Sequence, residues 1–264
     1  MRLVFLVGLE GSGHHYLESS FRIMFDENRK LERLNACKLY SAYYITKSMT
    51  KSPSTYAEAN ERARFQMRSL SLEGQQVSPP GTMAFLTGGN CPTGMLSYPS
   101  FGGVEKVQQY IDVRMLAEVA EAEGVDLRIV YLKRSAKEMV IADTEHRNFQ
   151  GNVGAAKDAS AKAKYMQYMR VLFTDMAAMH SGLTEIGPGF VICHDFGKLG
   201  DPNQATKIAD FVAPSLELAS VASNALVENI YSRGANSENV TLVDGDVVIR
   251  RLQKKLDVLE TSFC

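Results

Sequence analysis

Behind Arg2, apolar residues run unbroken from Leu3 to Val7, and the run stops at Gly8. Continuous rather than alternating hydrophobicity over so short a stretch predicts a strand buried on both faces, as in parallel sheets covered by helices. From Ser12 the period becomes helical, with Tyr16, Leu17, Phe21, Ile23 and Met24 forming an apolar side. Residues 26–50 are mixed, basic and rich in Tyr, and give no clear period. Tyr56 to Leu72 fits an amphipathic helix with Arg62, Arg64 and Arg68 on its wet side. Ser78 to Gly103 is rich in Gly and Pro and reads as turns and loop crossings, interrupted by apolar Met83 to Leu86 and Met95 to Leu96.

Val104 to Glu123 predicts a helix closed by Gly124, followed by a strand at Leu127 to Leu132 that ends in Lys133-Arg134 and a helix from Ser135 to His146. Helix, strand and helix in this order form a crossover unit and point to the α/β class. Asn148 to Asp158 is small and polar, as in an exposed loop. Ala159 to Met179 predicts a long helix whose Met166, Met169, Met176 and Met179 are spaced for core packing rather than for a metal. Phe190 to Cys193 reads as a short buried strand ending in His194-Asp195, and Pro202 opens a helix that runs through Phe211. Val240 to Val243, Asp244-Gly245 and Val247 to Ile249 spell a hairpin over 240–250 around a DG turn. Arg250, Arg251, Lys254 and Lys255 then make a solubilising face. There is no internal repeat, and a single α/β domain over 1–264 accounts for the pattern.

Charge narrows the ligand classes. The chain carries 29 Lys and Arg against 30 Asp and Glu, a formal net charge of -1, so no nucleic-acid partner is expected and any anion site must be built locally. Cys37, Cys91, Cys193 and Cys264 show no CxxC or zinc-like spacing, which predicts isolated reduced thiols and no metal. Glu10 arrives too early after the apolar start for a signal-peptide core or a membrane span. The chain as written is therefore expected in the cytoplasm; a Golgi lumen location follows instead if an N-terminal anchor precedes it. Asn239-Val240-Thr241 fits a glycosylation acceptor, which matters only in a secreted protein.

The chemistry concentrates at Gly8-Leu9-Glu10-Gly11-Ser12-Gly13-His14-His15, between the first strand and the first helix. Glycines there let backbone N–H groups converge on one anion while the helix N-terminus adds its dipole. Gly8 and Gly13 keep the spacing of the GxxxxGK[ST] nucleotide loop, but His14 replaces the lysine and His15 the magnesium-holding hydroxyl, which disfavours nucleoside triphosphate hydrolysis. A dinucleotide GxGxxG is also a poor match, because Tyr16 stands where its third glycine would fall. What remains is a nucleotide whose phosphate is held without a metal. Adjacent residues opening a helix point about 100° apart, so one histidine faces the phosphate well. By position that is His15, leaving His14 for the substrate, and both exchange protons near neutrality. Glu10 has three readings: it orients a histidine, acts as a base, or points outward.

The sequence resembles the PAPS-dependent sulfotransferase superfamily. The front loop of that family, commonly Pro-Lys/Arg-Ser-Gly-Thr-Thr, is similar to Glu10-Gly11-Ser12-Gly13-His14-His15. Ile129 to Glu138, reading IVYLKRSAKE, is similar to its second phosphate-binding strand. Val191 to Phe196, Asp201-Pro202 and Lys207 to Val212 are similar to its late strand, turn and helix. The resemblance reaches from residue 1 to about 215. It implies a three-layer sandwich with a mainly parallel central sheet and a P-loop-like nucleotide site. PAPS is the implied cofactor and PAP the product, with a sulfuryl group passing to a hydroxyl acceptor such as a carbohydrate or small metabolite. Gly11, Ser12, Gly13, His14 and His15 would hold the 5′ phosphosulfate, and Arg134 the 3′-phosphate. His14, His15 and Glu10 are the candidate catalytic groups.

Three departures mark a divergent member. Gly11 stands where the family has a basic residue, Ala142 where it has a serine beside the 3′-phosphate arginine, and Ser232-Arg233-Gly234 is a faint echo of its late Arg-Lys-Gly loop, with Arg233 the candidate ligand. Thr144 or Arg147 would substitute for the serine. Ser97 to Gly103 and His146 are candidates for the acceptor side, and Asp195 reads as a capping or pairing residue. Two other function classes stay open: another P-loop transferase such as a metabolite kinase, and a non-catalytic nucleotide-binding or scaffold protein.

Overall fold

The unbroken apolar run at the start forms β1 (Arg2–Val7), and Leu3 to Val7 are all buried. In the computed structural model, the described residues are 2–8, 17, 33–35, 45–46, 57–58, 61, 64–65, 67–69, 71–72, 83–86, 100–102, 107–110, 113–138, 179–198, 201–212, 246–261 and 263–264. Five strands make one sheet in the order β2-β4-β1-β7-β8, comprising β2 (Arg33–Asn35), β4 (Met83–Leu86), β1, β7 (Asp126–Lys133) and β8 (Val191–Asp195). Every pairing in it is parallel. A smaller antiparallel sheet joins β3 (Ile45–Thr46), β6 (Val107–Tyr110) and β5 (Ser100–Gly102). The fold is thus mixed α/β with a parallel sheet, and β1 is buried on both faces as its continuous hydrophobicity requires.

The helix α1 (Val113–Ala122) buries Val113, Met115, Leu116, Val119 and Ala120, the stripe its period predicts. Gly124 ends it at φ 65°, with Val125 N donating to Ala120 O at 2.8 Å and Gly124 N to Glu121 O at 3.1 Å. These two bonds satisfy carbonyls that the helix end would otherwise leave bare, and the positive φ explains the glycine. Helical residues 179–186 lie against α1. A Cβ on Gly182 would stand 2.5 Å from Val113 Cγ2, so the close approach depends on the missing side chain. The helix α2 (Pro202–Val212) starts with Asp201 Oδ1 accepting from Asn203 N at 2.9 Å and buries Ala205, Ile208, Ala209 and Val212. Arg2 ties its far end to the sheet, donating to Val212 O and to Asp126 Oδ2, each at 2.7 Å.

Several expectations fail for identifiable reasons. Met83 to Leu86 is a strand beside β1 rather than an interruption in loops, because four apolar residues between Gly/Pro stretches find partners only in the sheet. The helix expected from Val104 begins at Val113, and Val107–Tyr110 is instead a strand paired with β5. Ser100–Gly102, expected in a shaped loop, is that partner strand. Residues 179–186 are helical, past the expected helix end at Met179, and residues 159–178 lie outside the described residues. The hairpin over 240–250 does not form: Val247 to Ile249 lie inside α3 (Asp246–Glu260). Its β-branched residues suit a strand locally, but an amphipathic stripe reaching Leu256 and Glu260 buries more surface in a helix. Cys193 and Cys264, expected as reduced thiols, form a disulfide with Cα atoms 5.6 Å apart across 71 positions, a juxtaposition no local spacing reports. Cys37 and Cys91 lie outside the described residues. Among the described residues, no helix is long and apolar enough to cross a membrane.

The helical register of α3 makes a direct prediction. Leu256 is fully buried and Val258 is 68% exposed. Leu256→Ala is expected to cost about 2–5 kcal/mol in urea unfolding, and Val258→Ala no more than about 0.5 kcal/mol. Equal losses at the two positions would contradict the helix.

Candidate functional site

The topology picks out one crevice. From β1 the chain leaves for β2 and β4 on one flank, whereas from β7 it leaves for β8 on the other. β1 and β7 are adjacent, in register from Arg2↔Asp126 to Val7↔Tyr131, so their connections depart from the same end in opposite directions. Open parallel sheets bind ligands at such a switch point, outside the carboxyl ends of the strands. β1 delivers Gly8, buried at the strand end, and hence the start of the glycine loop. β7 delivers Lys133 and Arg134, and β8 delivers Asp195 and Phe196 beside them.

Arg134 is the sequence-predicted ligand that the described structure places at this point. Its Cζ lies 4.0 Å from the centroid of the Phe196 ring, a cation–π contact that places the guanidinium over that ring. Ser135 opens the following helix with a capping box: its hydroxyl donates to Glu138 Oε2 at 2.6 Å, and its backbone N–H to the same oxygen at 3.3 Å. Arg134 therefore stands in a short strand-to-helix junction held from both sides. Asp195 serves as a cap, its Oδ1 accepting from Gly197 N at 2.9 Å where a 3-10 turn (Phe196–Lys198) follows β8. Glu10, Gly11, Ser12, Gly13, His14, His15, Ala142, Thr144, His146, Arg147 and Arg233 lie outside the described residues.

Behind the junction is a buried polar and aromatic cluster. Tyr131 OH donates to Glu260 Oε1 at 2.8 Å, and Lys133 Nζ pairs with Glu260 Oε2 at 3.1 Å. Burial, followed by the charge of Glu260 and its hydrogen bond, pushes the Tyr131 phenol well above its ordinary range, so it stays a donor. The ring of His180 meets Tyr131 edge-on at 5.2 Å and Phe263 at 5.0 Å. Neither of its nitrogens has a hydrogen-bond partner among the described residues. Desolvation pushes His180 down to about 4, so it is neutral at physiological pH.

His194, on β8, is also buried and pushed down to about 4 by desolvation, with Asp195 opposing. Gln204 Nε2 lies 2.7 Å from His194 Nδ1 and 2.9 Å from Asp195 O. A carbonyl only accepts, so that Gln204 atom is the amide nitrogen and Nδ1 must accept as well. The proton of neutral His194 consequently sits on Nε2. Sequence reasoning placed Phe196 in an aromatic turn without giving it a role. It placed Tyr131 and Lys133 in the strand before Arg134 without giving them a role and did not single out His180 or Glu260, since residues 129 positions apart meet here with no local signal.

Among the described residues, no group of three or more His, Cys, Asp or Glu side chains gathers as a metal site. No family model matches the chain, and no curated protein matches it. Among solved structures, the crystal structure of APE1195 aligns with 54% of this chain at 16% identity and a TM-score of 0.28. The alignment spans 65% of that protein's own length, under two-thirds, and overlap so slight identifies neither a fold nor an activity.

The two buried histidines set a pH dependence. Their folded values lie near 4 against 6.5 for the free side chain, so between these limits the unfolded chain binds more protons. Stability is expected to be fully present above about pH 6.5 and to fall as pH drops towards 4, by on the order of 2–3 kcal/mol per histidine. His180→Phe, which keeps a ring between Tyr131 and Phe263, should flatten that slope in urea titrations stepped across the range; an unchanged slope would clear His180 of the effect.

Proposed function

We propose that the chain is a P-loop-like nucleotide-binding protein, its sheet sandwiched between two helix layers, and a PAPS-dependent sulfotransferase acting on a hydroxyl of a carbohydrate or small metabolite. The observation that supports this reading is that two strand ends whose following residues suit an anion lie side by side: β1 runs into Gly8, the first residue of the glycine loop, and its neighbour β7 ends at Lys133, with Arg134 next. A bisphosphorylated nucleotide presents two separated anions, which two such junctions suit. Arg134, held over the Phe196 ring, has the fork that would grip the 3′-phosphate.

When bound, PAPS supplies an activated sulfuryl group with PAP as its leaving group. The backbone N–H groups of Gly11, Ser12 and Gly13 would hold the 5′ end, and His15 would donate to its phosphate. His14 or Glu10 would take the proton of the acceptor hydroxyl. Arg233 is a further phosphate ligand. Gly11 removes the positive charge that would stabilise the departing phosphate, and a histidine N–H is the replacement. That same substitution favours a second reading, a non-catalytic nucleotide-binding protein on this scaffold. The Cys193–Cys264 bridge supports a location in an oxidising lumen such as the Golgi over the cytoplasm.

Calorimetric titration with PAP tests the cofactor assignment, and absence of binding to the folded protein would remove it. Arg134→Ala is expected to weaken PAP binding by about 10- to 100-fold, the loss of one charge-assisted fork. Full affinity in that variant would strip Arg134 of its role. Tight PAP binding without turnover over a broad panel of acceptors would select the non-catalytic reading.

A further inference from the structure

Residues of α3 and of the segment after it grip the end of β7 that precedes Arg134. Gln253 Oε1 accepts from Ala136 N at 2.7 Å, two residues past Arg134. Glu260 takes Tyr131 and Lys133, as described above. Phe263 packs edge-on against Tyr131 at 5.0 Å and closes the His180 cluster. Cys264 is bridged to Cys193, which stands beside Tyr131 in the β7–β8 register. Past Glu260 the helix has ended, and the backbone there is held by short-range bonds such as Phe263 N to Glu260 O at 3.2 Å and Cys264 N to Glu260 O at 2.8 Å. The disulfide is the covalent tie between this segment and the sheet, and its Cys264 end is exposed to solvent.

We propose that Cys193–Cys264 is a redox latch: closed, it clamps the segment from Glu260 to Cys264 onto the end of β7 and keeps the Arg134 junction in its ligand-binding shape. A dithiol reductant opens it by thiol–disulfide exchange. One reductant thiolate attacks a sulfur of the bridge, the second displaces the protein thiolate from the mixed disulfide, and both cysteines end as thiols while the reductant becomes the disulfide. Opening frees Phe263, uncovers the Tyr131–His180 face and loosens the hold of Glu260 on Lys133, next to Arg134. The link to ligand affinity rests on the PAP site proposed above; the link to the end of β7 does not.

The test uses the full chain, oxidised, with the bridge verified by non-reducing peptide mass spectrometry. It is compared with the same protein after dithiothreitol and thiol capping, and with Cys264→Ser. Opening is expected to speed amide hydrogen exchange over residues 131–138 by about tenfold and to weaken PAP binding by a similar factor, about tenfold. Exchange that is unchanged at 131–138, or accelerated at 261–264 alone, overturns the latch. If Cys264→Ser does not fold, the reduced wild-type protein decides. If the oxidised protein binds no PAP, the sulfotransferase reading falls, and the exchange at 131–138 still upholds or overturns the latch.

Discussion

The parallel pairing of β1 with β7 is the constraint on which the rest of the molecule depends. Six consecutive residues of each strand are in register, and the side chains of both are buried along nearly their whole length. Because β1 belongs to the first residues of the chain and β7 lies more than a hundred positions on, this pairing joins two strand-to-helix junctions that have no local relation. A single-residue slip would part Arg2 from Asp126, its register partner and ion pair, and would force side chains buried on both faces to repack. The pairing also fixes that Gly8 and Arg134 leave the sheet from the same edge.

The two ends of the sheet are finished differently. At the amino ends, Arg2 joins Asp126 and the last carbonyl of α2, Arg128 pairs with Asp126 and lies over Phe211, and the edge is closed by ionic and cation–π contacts. At the carboxyl ends the contacts are turned to holding strand-to-helix junctions. The Ser135–Glu138 box, the Asp195 cap and the Phe196 ring each fix a turn next to Arg134. An open parallel sheet places its binding chemistry on that side, since loops there vary without disturbing the core.

Charge follows the same division. With a net charge near zero, the protein has no long-range field to collect an anion, and attraction has to come from a few oriented groups. Arg134 is held over the Phe196 ring, while neighbouring Lys133 is engaged by buried Glu260. Neutral His180 and His194 add no charge beneath the junction, which keeps the field there that of Arg134 and its neighbours. The aromatic cluster of Tyr131, His180 and Phe263 is then a packing device in which Tyr131 OH is bonded to Glu260 and, among the described residues, the His180 nitrogens have no hydrogen-bond partner.

What the sequence by itself determined is everything with a short-range signature. The unbroken apolar run identified β1 as a buried parallel strand, Leu127 to Leu132 read as a strand of a crossover unit, Gly124 marked the end of α1, and Pro202 after Asp201 marked the start of α2. The glycine loop read as a candidate anion cradle from residue type and its place after a strand, whereas the phosphate role of Arg134 came from the family resemblance; both roles are proposals. Tertiary structure alone decided the rest. Met83–Leu86 and Val107–Tyr110 are too short to announce themselves and become strands only where a neighbouring edge supplies hydrogen bonds. Val247 to Ile249 are helical because α3 has a face to bury. Cys193 with Cys264, and Tyr131 with Glu260, are pairs made by chain segments that meet only after folding, and no spacing rule encodes the meeting.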